Sequence, residues 1–250
     1  MHVDRAEQLA HANRLIGADA SHRALFFEGA EGIGKTALLI EVHRRHGDST
    51  VCYVDLGTTW TLLDVLNSIA RQADEQGIPM DAFRALKQRY GDLPPVNLQG
   101  LSMNRSHLDL ALSVNADRET QTSALSDEIV ARLAESASAD GSGPVVVLDA
   151  FDRCEPPMQG WLSGGFVPDL LATRRITVLL AGRTVPGLSH PYSGVVQNLI
   201  LPPFDTATVR EWIELAGIDE LKDAAEELHA HSGGLPSAIA EFLSHFKREN

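Results

Sequence analysis

The sequence has few cysteines and no long apolar run. Of its 250 residues only Cys52 and Cys154 are cysteines, and neither stands at the spacing of a metal-binding pair. No apolar run approaches the roughly 18 residues that a membrane-spanning helix requires, and residues 1–5 begin no apolar stretch of the kind found in a secretory signal. We therefore expect a cytoplasmic protein without a membrane contact, in which both thiols are unpaired.

Basic residues are also few compared with acidic ones. The chain carries 21 Lys and Arg residues against 34 Asp and Glu, a formal net charge of −13, and its basic residues occur in runs no longer than pairs. A surface that binds the phosphate backbone of nucleic acid needs positive charge, so nucleic acid is disfavoured as the main ligand. The histidine pairs His43/His46 and His229/His231 lack the neighbours of a metal site, and we expect no metal held by protein ligands alone.

The composition is that of an ordinary globular protein. Hydrophobic residues make up 44% of the chain. A length of 250 residues suits one large α/β domain, or a domain of about 200 residues with a small appendix. A core of that size needs no disulfide or metal to stabilise it.

The most specific motif is a glycine-rich loop between a strand and a helix. Residues 29–36 read Gly-Ala-Glu-Gly-Ile-Gly-Lys-Thr and match the phosphate-binding pattern G-x-x-x-x-G-K-[ST] in full. An apolar run at 24–28 predicts a buried strand before the loop, and apolar residues at helical spacing within 36–46 predict a helix after it. The order of strand, glycine loop and helix is the one that a phosphate site requires.

This loop predicts how a nucleotide is held. Backbone N–H groups and the helix N-terminus surround a phosphate, Lys35 reaches the β- and γ-phosphates, and the Thr36 hydroxyl is available to Mg²⁺. The residues expected to bind the nucleotide here are Gly29, Glu31, Gly32, Ile33, Gly34, Lys35, Thr36 and Ala37.

Further apolar runs alternate with helical patterns along the chain. Besides 24–28, buried strands are predicted at 50–56, 144–149, 175–183 and 196–201. Helices are predicted at 4–16, 36–46, 60–76 and 124–138, and the first of them is expected to lie against the nucleotide. Five strands that alternate with helices are typical of a parallel sheet flanked by helices, here an α/β P-loop NTPase fold of the ASCE type.

Residues 78–118 are expected to be an insertion into this fold. A short helix is predicted at 81–90. Beyond it, leucine or valine stands at every even position from Leu108 to Val114, which predicts a β-hairpin that turns at 104–106 and presents one apolar face. A mobile loop covered in part by its own side chains remains the alternative, because the turn lacks a strong two-residue signal.

A second motif follows at residues 144–149, where the apolar strand Pro-Val-Val-Val-Leu-Asp ends in an acid. In P-loop proteins such an acid lies beside the Mg²⁺ ion that the loop Ser or Thr ligates. Thr36 and Asp149 are therefore the expected metal ligands. The alternative is a buried strand that merely ends in a turn aspartate.

The last part of the chain changes to helices only. After Pro202-Pro203, helices are predicted at 206–216, 219–231 and 237–248. Acidic residues outnumber basic ones in this part. We expect a nucleotide-binding domain at 1–203 and a small acidic helical lid at 204–250.

Together these features resemble the STAND class of signalling ATPases, and most closely its NACHT branch. Residues 145–152 are similar to the NACHT form of the Walker B strand, with four hydrophobic residues, the metal-binding Asp149, a small residue and a further acid at Asp152. Arg183, at the end of the next strand, is similar to the sensor 1 arginine, and Gly234-Leu235-Pro236 is similar to the G-x-P motif of the helical lid. The resemblance covers nearly the whole chain.

The resemblance implies roles for these residues. It implies ATP or ADP as the ligand, a contact between Arg183 and the γ-phosphate, and packing of Pro236 on the nucleotide. It also implies an acid that assists hydrolysis, but Arg153 stands where the family often has a second acid, so the base is left open between Asp152 and Glu155. The alternative interpretation needs no nucleotide contact. Arg183 would then be an ordinary arginine at a strand end, and Pro236 a proline in the first turn of a helix, where proline is favoured.

The preferred function is an ATP/ADP-binding signalling switch that assembles with itself or with an effector protein supplied in trans. The lid angle would depend on whether a γ-phosphate contacts Lys35, Arg183 and Mg²⁺. ATP hydrolysis is expected to be slow, because residues 184–196, where AAA+ relatives supply an arginine finger, contain no arginine. Such a finger contributes about 10³–10⁵ in rate.

Two other functions stay open at this point. A small-molecule or nucleoside kinase of the P-loop class needs an arginine-bearing lid over the phosphates, and the insertion at 78–118 has no arginine cluster. A scaffold that has lost nucleotide binding is disfavoured by the intact Lys35, Thr36 and Asp149. The residues alone leave the base open, since no guanine-reading N-K-x-D motif is present, and the resemblance favours adenine.

Overall fold

The computed structural model describes residues 5–17, 22–47, 49–59, 61–91, 105–138 and 143–249. Five strands form one parallel sheet in the order β2-β3-β4-β1-β5. The strands are β1 (Ala24–Glu28), β2 (Val51–Asp55), β3 (Val145–Asp149), β4 (Thr177–Gly182) and β5 (Val196–Ile200). Each corresponds to one of the predicted strands, and the predicted α/β P-loop fold is confirmed.

Helices surround this sheet. Those in the first part of the chain are α1 (Ala6–Ile16), α2 (Lys35–Arg45), α3 (Leu62–Glu75), α4 (Asp81–Gly91) and α5 (Arg105–Glu135). Between β3 and β4 lie α6 (Pro156–Trp161), a π-helical segment (Leu162–Phe166) and α7 (Val167–Ala172), which the sequence patterns did not indicate. The last helices are α8 (Thr206–Leu215), α9 (Ala225–Ser232) and α10 (Pro236–Glu249).

Three 3₁₀ turns complete the described structure. They are Phe151–Arg153 after β3, Tyr192–Val195 before β5 and Asp219–Ala224 before α9. Among the residues described, no helix is both long enough and apolar enough to cross a membrane.

Both faces of the sheet are covered by helices. The alternating side chains of β1 show this, since Leu25 and Phe27 pack in a cluster with α1 and α2, whereas Ala24 and Phe26 pack in a cluster with α3, α5 and α7. A strand that is buried on both faces has an apolar run without polar alternation. The continuous apolar runs in the sequence have this origin.

The predicted β-hairpin is wrong. Residues 105–118 belong to the 31-residue helix α5, and the part of the predicted hairpin before residue 105 lies outside the described residues. The sequence from 101 to 140 contains no glycine or proline that would end a helix. Moreover, the alternation also places Leu108 and Leu112 four residues apart, which is a helical spacing. The predicted helix at 81–90 is confirmed as α4.

The three predicted C-terminal helices are confirmed as α8, α9 and α10, although the 3₁₀ turn takes the place of the first part of the second one. Their shared cluster of buried side chains consists of Phe204, Val209, Ile213, Ile218, Ala225, Leu228, Ile239 and Leu243. Asp205 caps α8, because its side chain accepts a hydrogen bond from Thr208 N at 2.8 Å. We call residues 204–249 the helical lid, and its boundary with the sheet domain stays a proposal.

Gly234 in the lid should not tolerate a side chain. Its φ is +69°, and a Cβ atom there would overlap the carbonyl oxygen of Phe204. The neighbouring Gly233 has a φ of +60° but open space around its Cβ position. We expect Gly233→Ala to cost about 1 kcal/mol of unfolding free energy from backbone strain alone. Gly234→Ala should cost at least about 2 kcal/mol more, because overpacking adds to that strain.

Urea unfolding followed by circular dichroism measures both losses, with Gly233→Ala as the matched control. Equal losses in the two variants would mean that Gly234 does not approach Phe204 closely in solution.

Candidate nucleotide-binding site

A cavity of about 690 Å³ opens at the carboxyl ends of the strands, between the sheet domain and the helical lid. All the residues predicted to bind nucleotide except Gly29 line it, namely Glu31, Gly32, Ile33, Gly34, Lys35, Thr36, Ala37 and Pro236. The predicted metal ligand Asp149 and the predicted catalytic residues Asp152 and Arg183 line it as well. The fold thus gathers at one place residues that stand far apart in the sequence.

The glycine loop turns toward this cavity through two glycines in left-handed conformations. Gly32 has a φ of +79° and Gly34 a φ of +95°, which a residue with a side chain disfavours. Helix α2 begins at Lys35 directly after them, and within the described part of the chain no side chain caps its first turn. The N–H groups of that turn can therefore bind an anion.

The Lys35 ammonium is held by the loop itself. Its Nζ donates hydrogen bonds to Gly29 O at 2.7 Å and to Ala30 O at 2.8 Å. Gly29 thus positions the lysine although it does not line the cavity. Partial burial lowers the pKa of Lys35, while the negative charges of Asp152 and Asp149 oppose that shift.

The carboxylate of Asp149 is buried and held on both oxygens. It ends β3 and is 3% exposed. Its Oδ2 accepts a hydrogen bond from Tyr53 Oη at 2.8 Å, and its Oδ1 accepts one from Ala150 N at 2.8 Å. Burial, and then the hydrogen bond to Asp149, raise the pKa of Tyr53 above its ordinary value. The phenol therefore stays protonated and remains a donor.

The residues at this end of the cavity fit a magnesium ion. Carboxylate and hydroxyl oxygens are the ligands that Mg²⁺ prefers, and Asp149 and Thr36 supply one of each. Each Asp149 oxygen keeps lone pairs beyond the hydrogen bond that it accepts. Ala150 then takes a φ of +60°, which is uncommon for a residue with a side chain, and this turn leads the chain along the cavity toward Asp152.

Asp152 and Arg183 form a closely paired unit. Arg183 N donates to Asp152 Oδ1 and Arg183 Nε to Asp152 Oδ2, both at 2.5 Å. Burial raises the pKa of the Asp152 carboxyl, but the hydrogen bonds and charge of Arg183 outweigh burial and hold the pKa below its ordinary value. Both carboxylate oxygens are thus engaged, and the carboxylate fixes the direction of the Arg183 side chain.

The candidate base Glu155 and the histidine pair His229/His231 lie outside the lining of the cavity. Glu155 is exposed before the first turn of α6. His229 Nε2 is hydrogen-bonded to Phe204 O at 3.1 Å, and His231 Nδ1 to Glu227 O at 2.9 Å. Of the two acids considered as the hydrolytic base, only Asp152 therefore lies at the cavity.

Arg5 lines the cavity and was not found by sequence reasoning. Its side chain is largely buried, and Nη2 donates to Ile33 O at 3.0 Å and to Pro202 O at 2.9 Å. The guanidinium also lies 4.7 Å from the centre of the Phe204 ring. Arg5 thus ties together the glycine loop, the end of β5 and the lid. Its partners are 28 and 197 residues away, so no local pattern could have revealed them.

Part of the cavity wall is apolar, and sequence reasoning missed this part too. It is formed by Ile40 on α2 and by Phe204, Trp212 and Ala240 of the lid. Phe204 and Trp212 pack edge to face, with ring centres 5.9 Å apart and an interplanar angle of 77°. Each of these residues reads in the sequence as an ordinary apolar position of an amphipathic helix or a loop.

Arg5→Met should destabilise the fold. The variant keeps much of the aliphatic stem but leaves the buried carbonyl of Ile33 and the carbonyl of Pro202 without their charged donor, so we expect a loss of about 2–3 kcal/mol in unfolding free energy. Arg14→Met, on the exposed side of the same helix, is the matched control and should change it by no more than about 0.5 kcal/mol. Chemical denaturation measures both. If Arg5→Met behaves like the control, the contacts of Arg5 do not hold loop and lid together.

No protein-family model matches the sequence, and no curated protein matches it. Solved structures do match the fold. The Walker-type ATPase of Pyrococcus abyssi matches with a TM-score of 0.57 and 14% identity, over 100% of this chain and 69% of that one. A signal transduction ATPase with numerous domains (STAND) and a tetratricopeptide repeat sensor, from Pyrococcus horikoshii, matches with a TM-score of 0.57 and 13% identity, over 94% and 28%.

The ORC1 protein of Aeropyrum pernix, in a structure of its complex with DNA, matches with a TM-score of 0.54 and 17% identity, over 100% of this chain and 62% of that one. At such identities the likeness shows the fold alone. The chain therefore has the fold of P-loop ATPases and spans from 28% to 69% of the lengths of these three proteins. The NACHT branch stays a prediction.

Proposed function

We propose that the protein is an ATP/ADP-binding switch of the STAND type, which hydrolyses ATP slowly and passes its nucleotide state to a partner. The observation that carries this proposal is that the phosphate loop, Asp149, Arg183 and the start of the lid helix α10 all face one cavity. A backbone hydrogen bond of 3.1 Å from Ser237 N to Gly32 O links lid and loop directly. A ligand in the cavity touches both parts, so its chemistry can set the position of the lid.

The two kinds of cavity wall suit the two parts of a nucleotide. Lys35, the glycine loop and the first turn of α2 offer cationic and N–H donors to phosphates. The flat faces of a base pack well on aromatic and aliphatic side chains, and we assign the base to the wall of Ile40, Phe204 and Trp212. We take the base to be adenine on the strength of the STAND resemblance.

Thr36 and Asp149 would hold Mg²⁺, and the ion, when bound, neutralises charge on the β- and γ-phosphate oxygens. The protein's own contribution is to position the charges around it. Tyr53 holds the Asp149 carboxylate, and Asp152 aims Arg183 at the cavity. We therefore assign Asp152 a positioning role through Arg183, since both its oxygens accept hydrogen bonds from Arg183 and its lowered pKa makes it a weak base.

Slow hydrolysis and a protein partner complete the proposal. The stretch 184–196 supplies no arginine finger, and we expect turnover to be correspondingly slow. The partner is either a second copy of this chain or an effector protein. The ORC1 structure contains DNA, but the net charge of −13 favours a protein over a nucleic acid as the partner here.

Lys35→Ala should weaken the binding of ADP and ATP by at least about 2 kcal/mol. The variant removes the ammonium that reaches the phosphates, on the scale of one charge-assisted hydrogen bond and its unpaired partner. Isothermal titration calorimetry measures the change. Lys87→Ala, an exposed lysine on α4, is the control and should leave both affinities intact. Unchanged affinity in Lys35→Ala would mean that the glycine loop is not the site.

Asp149→Asn should distinguish the contribution of the metal to binding from that of the nucleotide. We expect ADP binding without Mg²⁺ to be nearly intact, whereas the gain in ATP affinity on adding Mg²⁺ should largely disappear, because only the metal needs the carboxylate charge. Titrations with and without Mg²⁺ give both values, and Asp81→Asn at the start of α4 serves as the control. Equal losses with and without the metal would make Asp149 a structural residue.

A further inference from the structure

Glu31, within the glycine loop, lies between two arginines that follow β3 and β4. Its Oε1 accepts a hydrogen bond from Arg153 Nη2 at 2.6 Å, and its Oε2 lies 3.9 Å from Arg183 Nη1. All three side chains line the cavity and are more than half exposed. A carboxylate between two guanidinium groups marks a position where an anion is favoured, and guanidinium groups bind phosphate with the same geometry as carboxylate.

The two arginines are held differently. Arg183 is fixed by Asp152, which accepts bonds from its backbone N and its Nε. Arg153 lies on the turn after β3, and its hydrogen bond goes to the exposed end of the Glu31 side chain. An incoming anion can therefore take Arg153 away from Glu31 while Arg183 stays in place.

The strengths of the contacts favour such an exchange. An exposed ion pair favours the paired over the unpaired arrangement of its two side chains by no more than about fivefold. A charge-assisted hydrogen bond between an arginine and a phosphate within a cavity is worth about tenfold or more. A terminal phosphate near these arginines should therefore replace the Glu31 carboxylate as the partner of Arg153.

We propose that Glu31 occupies the place of the terminal phosphate of ATP, and that ATP transfers Arg153 from Glu31 to that phosphate. ADP lacks this phosphate and leaves the Glu31–Arg153 pair intact. Arg153 is then an ATP-specific ligand beside Arg183, and this inference rests on the nucleotide site proposed above. Glu31 directly precedes Gly32, whose carbonyl accepts the hydrogen bond from the lid residue Ser237, so the exchange takes place beside the contact between loop and lid.

The test compares affinities for ADP and for a non-hydrolysable ATP analogue, both with Mg²⁺, by isothermal titration calorimetry. Arg153→Gln should weaken the binding of the analogue about tenfold and leave the affinity for ADP within about twofold of the wild-type value. Glu31→Gln should strengthen the affinity for the analogue by about two- to fivefold, because the competitor of the terminal phosphate is gone, and should change the affinity for ADP by a smaller factor. In the double variant with both substitutions, Glu31→Gln should no longer increase the affinity for the analogue. A merely structural role would not give opposite signs for the two single variants.

Matched controls come from the exposed pair Arg71–Glu75 on α3, whose Nη1 and Oε1 atoms are 2.9 Å apart. Arg71→Gln and Glu75→Gln make the same charge changes and should leave the ratio of the two affinities unaltered. A gain from Glu31→Gln that persists without Arg153 would overturn the exchange, since simple repulsion of phosphate would then explain it. Equal effects on both nucleotides would overturn it too.

The wild-type titrations separate this inference from the proposed function. If the wild type binds neither nucleotide, both are overturned. If it binds both and their affinity ratio is the same in Glu31→Gln and Arg153→Gln as in the wild type, the nucleotide site stands and the exchange does not.

Discussion

The parallel direction of all five strands is the constraint on which the candidate site depends. Parallel strands end at one edge of a sheet, so residues that follow different strands meet there. Strand β1 leads into the glycine loop, β4 ends directly before Arg183, and β3 ends in Asp149. Because β4 lies between β1 and β3, loop, arginine and acid stand side by side across the centre of the sheet. The apolar core on both faces fixes the strands, and thereby the spacing of these groups.

At this edge the charged and polar groups are held before any ligand arrives. Groups withdrawn from water need partners, and Asp149 has Tyr53, Asp152 has Arg183, and Arg5 has two backbone carbonyls. Such a site loses less conformational freedom when a ligand binds. The exposed pair of Glu31 with Arg153 is of the opposite kind, and an exchange of partners there costs little. In the proposed function, the rigid pairs position the groups that surround the nucleotide, and the exposed pair of Glu31 and Arg153 distinguishes ATP from ADP.

Local chemistry decided which features could be predicted from the sequence. The glycine loop and Asp149 were found because phosphate and metal chemistry demand particular residues at fixed spacing, and the strands because burial on both faces leaves apolar runs. The hairpin failed because alternation over a few residues also fits a helix, and nothing in the sequence breaks that helix. Arg5 and Tyr53 could not be found, since their partners are distant in sequence. Trp212 was missed because it looks like an ordinary apolar residue of its helix.

We propose that one nucleotide is held between the glycine loop and the helical lid, and Trp212 offers the most direct test of this arrangement. Its side chain lines the cavity from the lid side, so a bound base should alter its fluorescence. We predict a saturable change in tryptophan emission on adding ADP, with the same dissociation constant as calorimetry gives, and its loss in Trp212→Phe. Calorimetric binding of ADP with an unchanged Trp212 emission would contradict this arrangement, because the nucleotide would then bind without contacting the lid.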